Sequence, residues 1–172
     1  MKRARAFGFA VVFSAAGMMA AWCAGCGPYS FSGSSTPHIK TVAVPTFEDQ
    51  TAEFRLKEQM TNSIIQAFTR DHTLKVVDRR VADAIVNGVI LRVSERAGIY
   101  TQEEQVQEIR VTITARIKYE DLKKRKTIWE EQIMQFGTYT PGSATSGDRQ
   151  LALAEAVDKI ATEVINKSVS SW

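Results

Sequence analysis

The spacing of apolar residues changes along this chain, and each change marks an element. The longest regular stretch is residues 108–120. There Ile109, Val111, Ile113, Ala115, Ile117 and Tyr119 alternate with Glu108, Arg110, Thr112, Thr114, Arg116, Lys118 and Glu120. Period two over that length predicts an antiparallel strand with one buried and one polar face. At ~3.4 Å per residue it spans roughly 40 Å. Residues 121–126 read as a turn, and 127–139, carrying Ile128, Trp129, Ile133, Met134 and Phe136, as its returning partner.

Two stretches follow the helical period instead. Over residues 51–70, Leu56, Met60, Ile64, Ala67 and Phe68 recur every three or four positions, with Arg55, Lys57, Glu58, Gln59 and Gln66 outside the stripe. Near the C-terminus Asp148 is placed to cap a second helix, whose stripe reads Leu151, Ala154, Val157, Ile160, Ala161, Val164 and Ile165. Shorter β-branched runs at 39–44, closed by Pro45, and at 74–77 flank the first helix. Strand, helix and strand in that order predict a βαβ unit with parallel strands.

Residues 84–95 mix two parities: Ile85, Val89, Leu91 and Val93 on one, Val86 and Ile90 on the other. Gly88 among them suggests a bulge or a close backbone approach. Residues 95–107, polar around Glu103 and Glu104, read as a hairpin arm, and 140–147 as a flexible loop. The sum is an α+β fold: a two-layer sandwich with two amphipathic helices packed on one face of a mixed four- to five-stranded sheet. The polar side of residues 108–120 then points outward.

The first residues belong to none of this. Lys2, Arg3 and Arg5 precede an uncharged run of 16 residues, Phe7 to Trp22, which is short for a membrane span and suits a signal peptide. Taking those three cations from the 22 Lys and Arg leaves 19, against 19 Asp and Glu, and no acid precedes Glu48. The remainder is formally neutral, so it has no net field for nucleic acid.

The chain has two cysteines, Cys23 and Cys26. Ala24-Gly25-Cys26 has the small-small-Cys form of a bacterial lipobox, with Cys23 at the position usually held by an aliphatic residue. On this reading Cys23, Ala24 and Gly25 are recognised by the signal peptidase. Cys26 is acylated (a palmitate-type chain) and becomes the mature N-terminus. The same four residues are formally C-x-x-C, a redox or zinc pattern. Zinc would need two more ligands, and His38 and His72 lack the spacing. The organisation expected is a signal peptide at 1–25, a tether at 26–38 rich in Ser, Gly and Pro, and one domain at 39–172.

No nucleophile elbow, P-loop, metalloprotease helix or dinucleotide fingerprint is present in the sequence, and no cofactor is expected. Glu103-Glu104 and Glu130-Glu131 are adjacent on strands, so each pair points to opposite faces and cannot work one bond. A non-enzymatic role follows. Lys123-Lys124-Arg125-Lys126 is the one dense basic cluster. It suits a solvated hairpin tip that discourages edge pairing. With Arg110, Arg116 and Lys118, and with Arg149 beside the flexible loop, it also offers candidates for binding phosphates of lipopolysaccharide.

Cys26-Gly27-Pro28-Tyr29-Ser30-Phe31 resembles the start of the lipopolysaccharide-assembly lipoprotein family LptE. So do residues 39–48, Ala82-Asp83-Ala84-Ile85-Val86-Asn87-Gly88, Arg110-Val111-Thr112-Ile113-Thr114 and Ile128-Trp129-Glu130. The resemblance implies an outer-membrane lipoprotein inside the lumen of the β-barrel LptD, assisting lipopolysaccharide transport to the outer leaflet. Gly27 after the acylated Cys, in place of Asp, resembles outer-membrane sorting in enteric bacteria. The Ala-Asp-Ala segment also resembles lipoproteins of curli export or of penicillin-binding-protein activation. That keeps open a periplasm-facing accessory or regulatory lipoprotein.

Overall fold

A computed structural model describes residues 38–100, 106–140 and 146–170. Cys23, Ala24, Gly25 and Cys26, the tether before His38, Glu103, Glu104 and residues 141–145 lie outside the described residues. The described chain runs β1 (Thr41–Ala43), β2 (Glu48–Asp49), α1 (Leu56–Asp71), β3 (Lys75–Val76), β4 (Ala84–Tyr100), β5 (Val106–Asp121), β6 (Lys126–Tyr139) and α2 (Ser146–Ser170).

These strands make one mixed sheet in the order β3-β1-β4-β5-β6, with β2 joining β4 beyond the end of β1. β1 pairs in parallel with both β3 and β4, so the βαβ unit is present as read. β2 also pairs in parallel with β4, while the ladders of β4 with β5 and of β5 with β6 are antiparallel. The sheet has six strands where four to five are expected. The addition, β2, is two residues long and too short to show any alternation.

Both helices cover the same face. Leu56, Met60, Ile64 and Phe68 of α1 meet Val157, Ile160, Val164 and the alternating set Val111, Ile113, Ala115, Ile117 and Tyr119 of β5 in one core cluster. α1 starts later than expected, because residues 51–55 are spent on turns. Asp49 Oδ1 accepts from the Thr51 N–H (2.7 Å) and Thr51 Oγ1 from the Glu53 N–H (3.3 Å). In α2 the buried stripe begins Ala152, Leu153, Ala156, while Leu151 is 70 % exposed. The expected stripe was one position out in the first turns, where alanines carry the contact. Asp148 sits inside the first turn of α2 and not before it, so it complements the helix dipole and is not the cap.

Two glycines fix how closely the layers approach. Gly88 lies under the ring of Phe47, which is 2 % exposed, and a methyl group there would overlap that ring. Gly137 lies against the Ala152 carbonyl, where a methyl would meet backbone. The bulge suggested at Gly88 is found instead between Ile90 and Arg92, where the β4–β5 register shifts. At the outer edge of β6, Lys159 Nζ donates to the Phe136 carbonyl (2.9 Å) and Glu155 accepts from the Thr138 N–H (3.3 Å). Those bonds occupy edge groups that would otherwise template another strand.

Candidate functional site

The sheet face away from the helices is built by the even positions of β5. Thr112 sits between Ser94 and Phe136, Thr114 between Arg92 and Met134, and Arg110 between Arg96 and Thr138. Further along, Arg116 pairs with Val89 and Gln132, and Lys118 with Asn87 and Glu130. Arg92, Arg96, Arg110, Arg116 and Lys118 thus share this face with Glu120 and Glu130. A domain that is neutral in sum therefore carries an excess of cations on one side.

The charges divide into two regions. Near β6's end, Arg92, Arg96 and Arg110 surround Ser94, Thr112, Thr114 and Met134 in a hollow of about 370 Å³. The Arg110 guanidinium lies 4.1 Å from the centre of the Phe136 ring, and Met134 is 55 % exposed. Three guanidinium groups over hydroxyls, bordered by a thioether and a ring, match a phosphate attached to an apolar body. In the other region, of about 460 Å³, Arg79, Arg116 and Lys118 are met by Glu48 and Glu130. Lys118 is held by Glu120 (2.7 Å), whose hydrogen bond raises the lysine's pKa.

The expected site residues do not all come together. Arg110, Arg116 and Lys118 share the outer face. Lys123, Lys124 and Arg125 of the β5–β6 turn, and Lys126 which opens β6, lie at the far end of the strand, which from Arg110 to Asp121 runs roughly 37 Å by strand rise. Lys123 Nζ is engaged by Asp83 Oδ1 at 2.6 Å. Arg149 lies on the helix side, bound to both carboxylate oxygens of Glu53 (2.6 and 3.0 Å) and to Glu95 (2.6 Å). The Arg149 hydrogen bond holds Glu53 below the usual carboxylate range, and the two glutamates raise Arg149 further.

Arg92 and Arg96 escaped sequence reading because the register shift after Ile90 reverses the parity of β4. The signal was present: from Val86 to Ile90 the buried positions are even, whereas Arg92, Ser94 and Arg96 are polar beyond it.

Where the described chain begins, two buried carboxylates fasten it. Asp83 Oδ2 accepts from the N–H groups of Lys40 (2.8 Å) and Thr41 (3.0 Å). The Lys123 hydrogen bond, then these, hold its carboxyl well below the usual range against the effect of burial. His38 Nε2 lies 2.5 Å from Asp121 Oδ2, and the Lys124 N–H bonds the other oxygen (2.9 Å). Burial pushes Asp121 up, but the Lys124 and His38 bonds leave it lowered. Among the described residues no group of three His, Cys, Asp or Glu side chains is placed to hold a metal. No described helix is long and apolar enough to cross a membrane.

Comparison with known proteins gives a family-model match over residues 39–168, to LptE, lipopolysaccharide-assembly. No curated protein sequence matches. Among solved structures, the fold is similar to a protein from Xanthomonas campestris (TM-score 0.57, 11 % identity, 77 % of this chain and 88 % of that one). It is also similar to a hypothetical protein from Chlamydia trachomatis (0.56, 11 %, 74 % and 96 %). A third is a minor lipoprotein from Acinetobacter baumannii (0.53, 10 %, 77 % and 94 %).

Proposed function

Because the chain belongs to the LptE family of lipopolysaccharide-assembly proteins, we propose that it is an outer-membrane lipoprotein, anchored through Cys26, that partners the β-barrel LptD. In this role it assists delivery of lipopolysaccharide to the outer leaflet and performs no covalent chemistry.

The observation that carries the reading is the outer sheet face. Its side chains are charged or hydroxyl-bearing from Arg110 to Glu120 of β5, a surface that stays wetted inside a polar barrel lumen, where an apolar face would not. Arg92, Arg96 and Arg110 supply bidentate donors for lipid phosphates, and Met134 and Phe136 supply the apolar border. The helix layer and the closed β6 edge leave this face as the broad cationic side of the domain.

Purification of the full chain through a C-terminal tag, in detergent, tests the partnership. A stable complex with a large β-barrel protein is the expected result. Recovery without a barrel would overturn it and favour the periplasm-facing accessory role. Mass spectrometry of the mature N-terminus checks the anchor: an acylated Cys26 is expected, and a free thiol there removes it.

A further inference from the structure

Phe54 is the most exposed large hydrophobic side chain of the described residues, at 84 %. The backbone holds it there. Arg55, which follows it and opens α1, has φ 60° and ψ 11°, and its side chain makes no capping bond. Residues before a helix normally adopt extended angles, and a left-handed arginine is strained. The other positive angles outside glycine, His72 at the end of α1 and Arg125 in a turn, sit where chains ordinarily use them. Strain at Arg55 therefore exposes an aromatic ring that capping alone does not require.

Beside that ring runs a groove of about 560 Å³ along α1, within the roughly 300–1,000 Å³ typical of small-molecule sites. Its wall is a row of neutral amides, Gln59, Asn62 and Gln66 from α1 and Gln150 from α2, with the Glu58 carboxylate alongside. Ser63 Oγ donates to Asp158 (2.9 Å) and ties the two helices together at this point. Each amide presents a donor and an acceptor in one plane. The groove has too little apolar wall for a hydrophobic peptide, and a single arginine among its lining residues makes it a poor phosphate site.

We propose that this groove is a glycan-binding site. A pyranose ring has an apolar C–H face, which lies on Phe54, and a rim of hydroxyls, which bond Gln59, Asn62, Gln66 and Gln150. The site is on the helix side of the sheet, so it stands apart from the cationic face. Two envelope sources share this chemistry, the oligosaccharide of lipopolysaccharide and the glycan of peptidoglycan.

The test is titration of the full chain in detergent with two probes, followed by calorimetry and saturation-transfer NMR. The probes are lipid-free lipopolysaccharide oligosaccharide and the N-acetylglucosamine–N-acetylmuramic acid disaccharide. Saturable binding of either that Phe54→Ala weakens supports the proposal and identifies the source. Phe54→Ala and Asn62→Ala should each weaken it about ten-fold, and Phe54→Tyr should retain it. Circular dichroism should be unchanged, since both side chains are exposed. Absence of saturable binding to both probes would overturn the proposal. So would affinity unaltered in Phe54→Ala, or a photo-crosslinker at position 54 that captures only polypeptide.

Discussion

Gly88 is glycine because Phe47 lies on it, and that dependence can be measured. Phe47 is 2 % exposed and joins the core cluster between β1 and β2, with its N–H bonded to Thr61 Oγ1 at 3.0 Å. Truncating it to alanine removes a buried ring and leaves a cavity, at about 3–5 kcal/mol. Gly88→Ala alone drives a methyl into the ring, an overpacking change of about 1–3 kcal/mol, since neither strand nor ring has open space to move into. The two together are not the sum. With the ring gone, the methyl introduced at position 88 occupies part of the cavity, and alanine recovers about 0.5–1 kcal/mol of backbone entropy relative to glycine. The double variant should therefore equal or exceed the stability of Phe47→Ala, giving a coupling of about 2 kcal/mol or more. Urea unfolding followed by tryptophan fluorescence, with equal m-values required across the four proteins, reads this directly. Additivity within about 0.5 kcal/mol would refute the claim that the ring dictates the glycine.

Other consequences follow from the polar contacts. Asp83 and Asp121 have lowered folded-state pKa values, so their stabilisation is present at neutral pH and is lost as the pH falls below about 4 towards their folded values. Asp83→Asn should cost about 2–3 kcal/mol at pH 7 and flatten the acid limb of a stability–pH curve; an unchanged limb counts against the assignment. Arg149→Met leaves Glu53 and Glu95 without their shared cation, and because the group is partly exposed the loss should be about 1–2 kcal/mol, reduced further by salt. Tyr119→Phe should be neutral or stabilising by up to about 1 kcal/mol, because its hydroxyl is buried without a partner while its ring packs on Trp129. A lower Tm in Tyr119→Phe would show that the hydroxyl is satisfied in solution.

The parts of the fold legible in the sequence are those whose period is held for many residues. β5 shows one parity from Val111 to Tyr119, and both helices show their stripes, because each buries one continuous face. What was hidden depends on single residues and on contacts distant in sequence. One extra residue after Ile90 turns Arg92 and Arg96 outward, and no local pattern announces how many residues will oppose one across a ladder. Leu151 would satisfy a helical stripe as well as Leu153, and the close approach of Gly137 to Ala152, which puts a small residue at that contact, is a tertiary feature. Arg149 looked available because Glu53 and Glu95, its partners, lie 96 and 54 positions away.

The place where the N-terminal segment joins the domain has a mechanical meaning. Residue 40 enters β1, the middle member of three parallel strands, and its carbonyl accepts from the Lys75 N–H (3.0 Å), as the Val42 carbonyl does from Val77 (3.0 Å). A pull along the axis of β1 would load these bonds in shear, together and not one at a time. Asp83, gripping the Lys40 and Thr41 amides from the start of β4, adds a second fastening at the same point. The short strand β1 is thus fastened by side-chain bonds as well as by its ladders, at the point where the N-terminal segment leads into the domain.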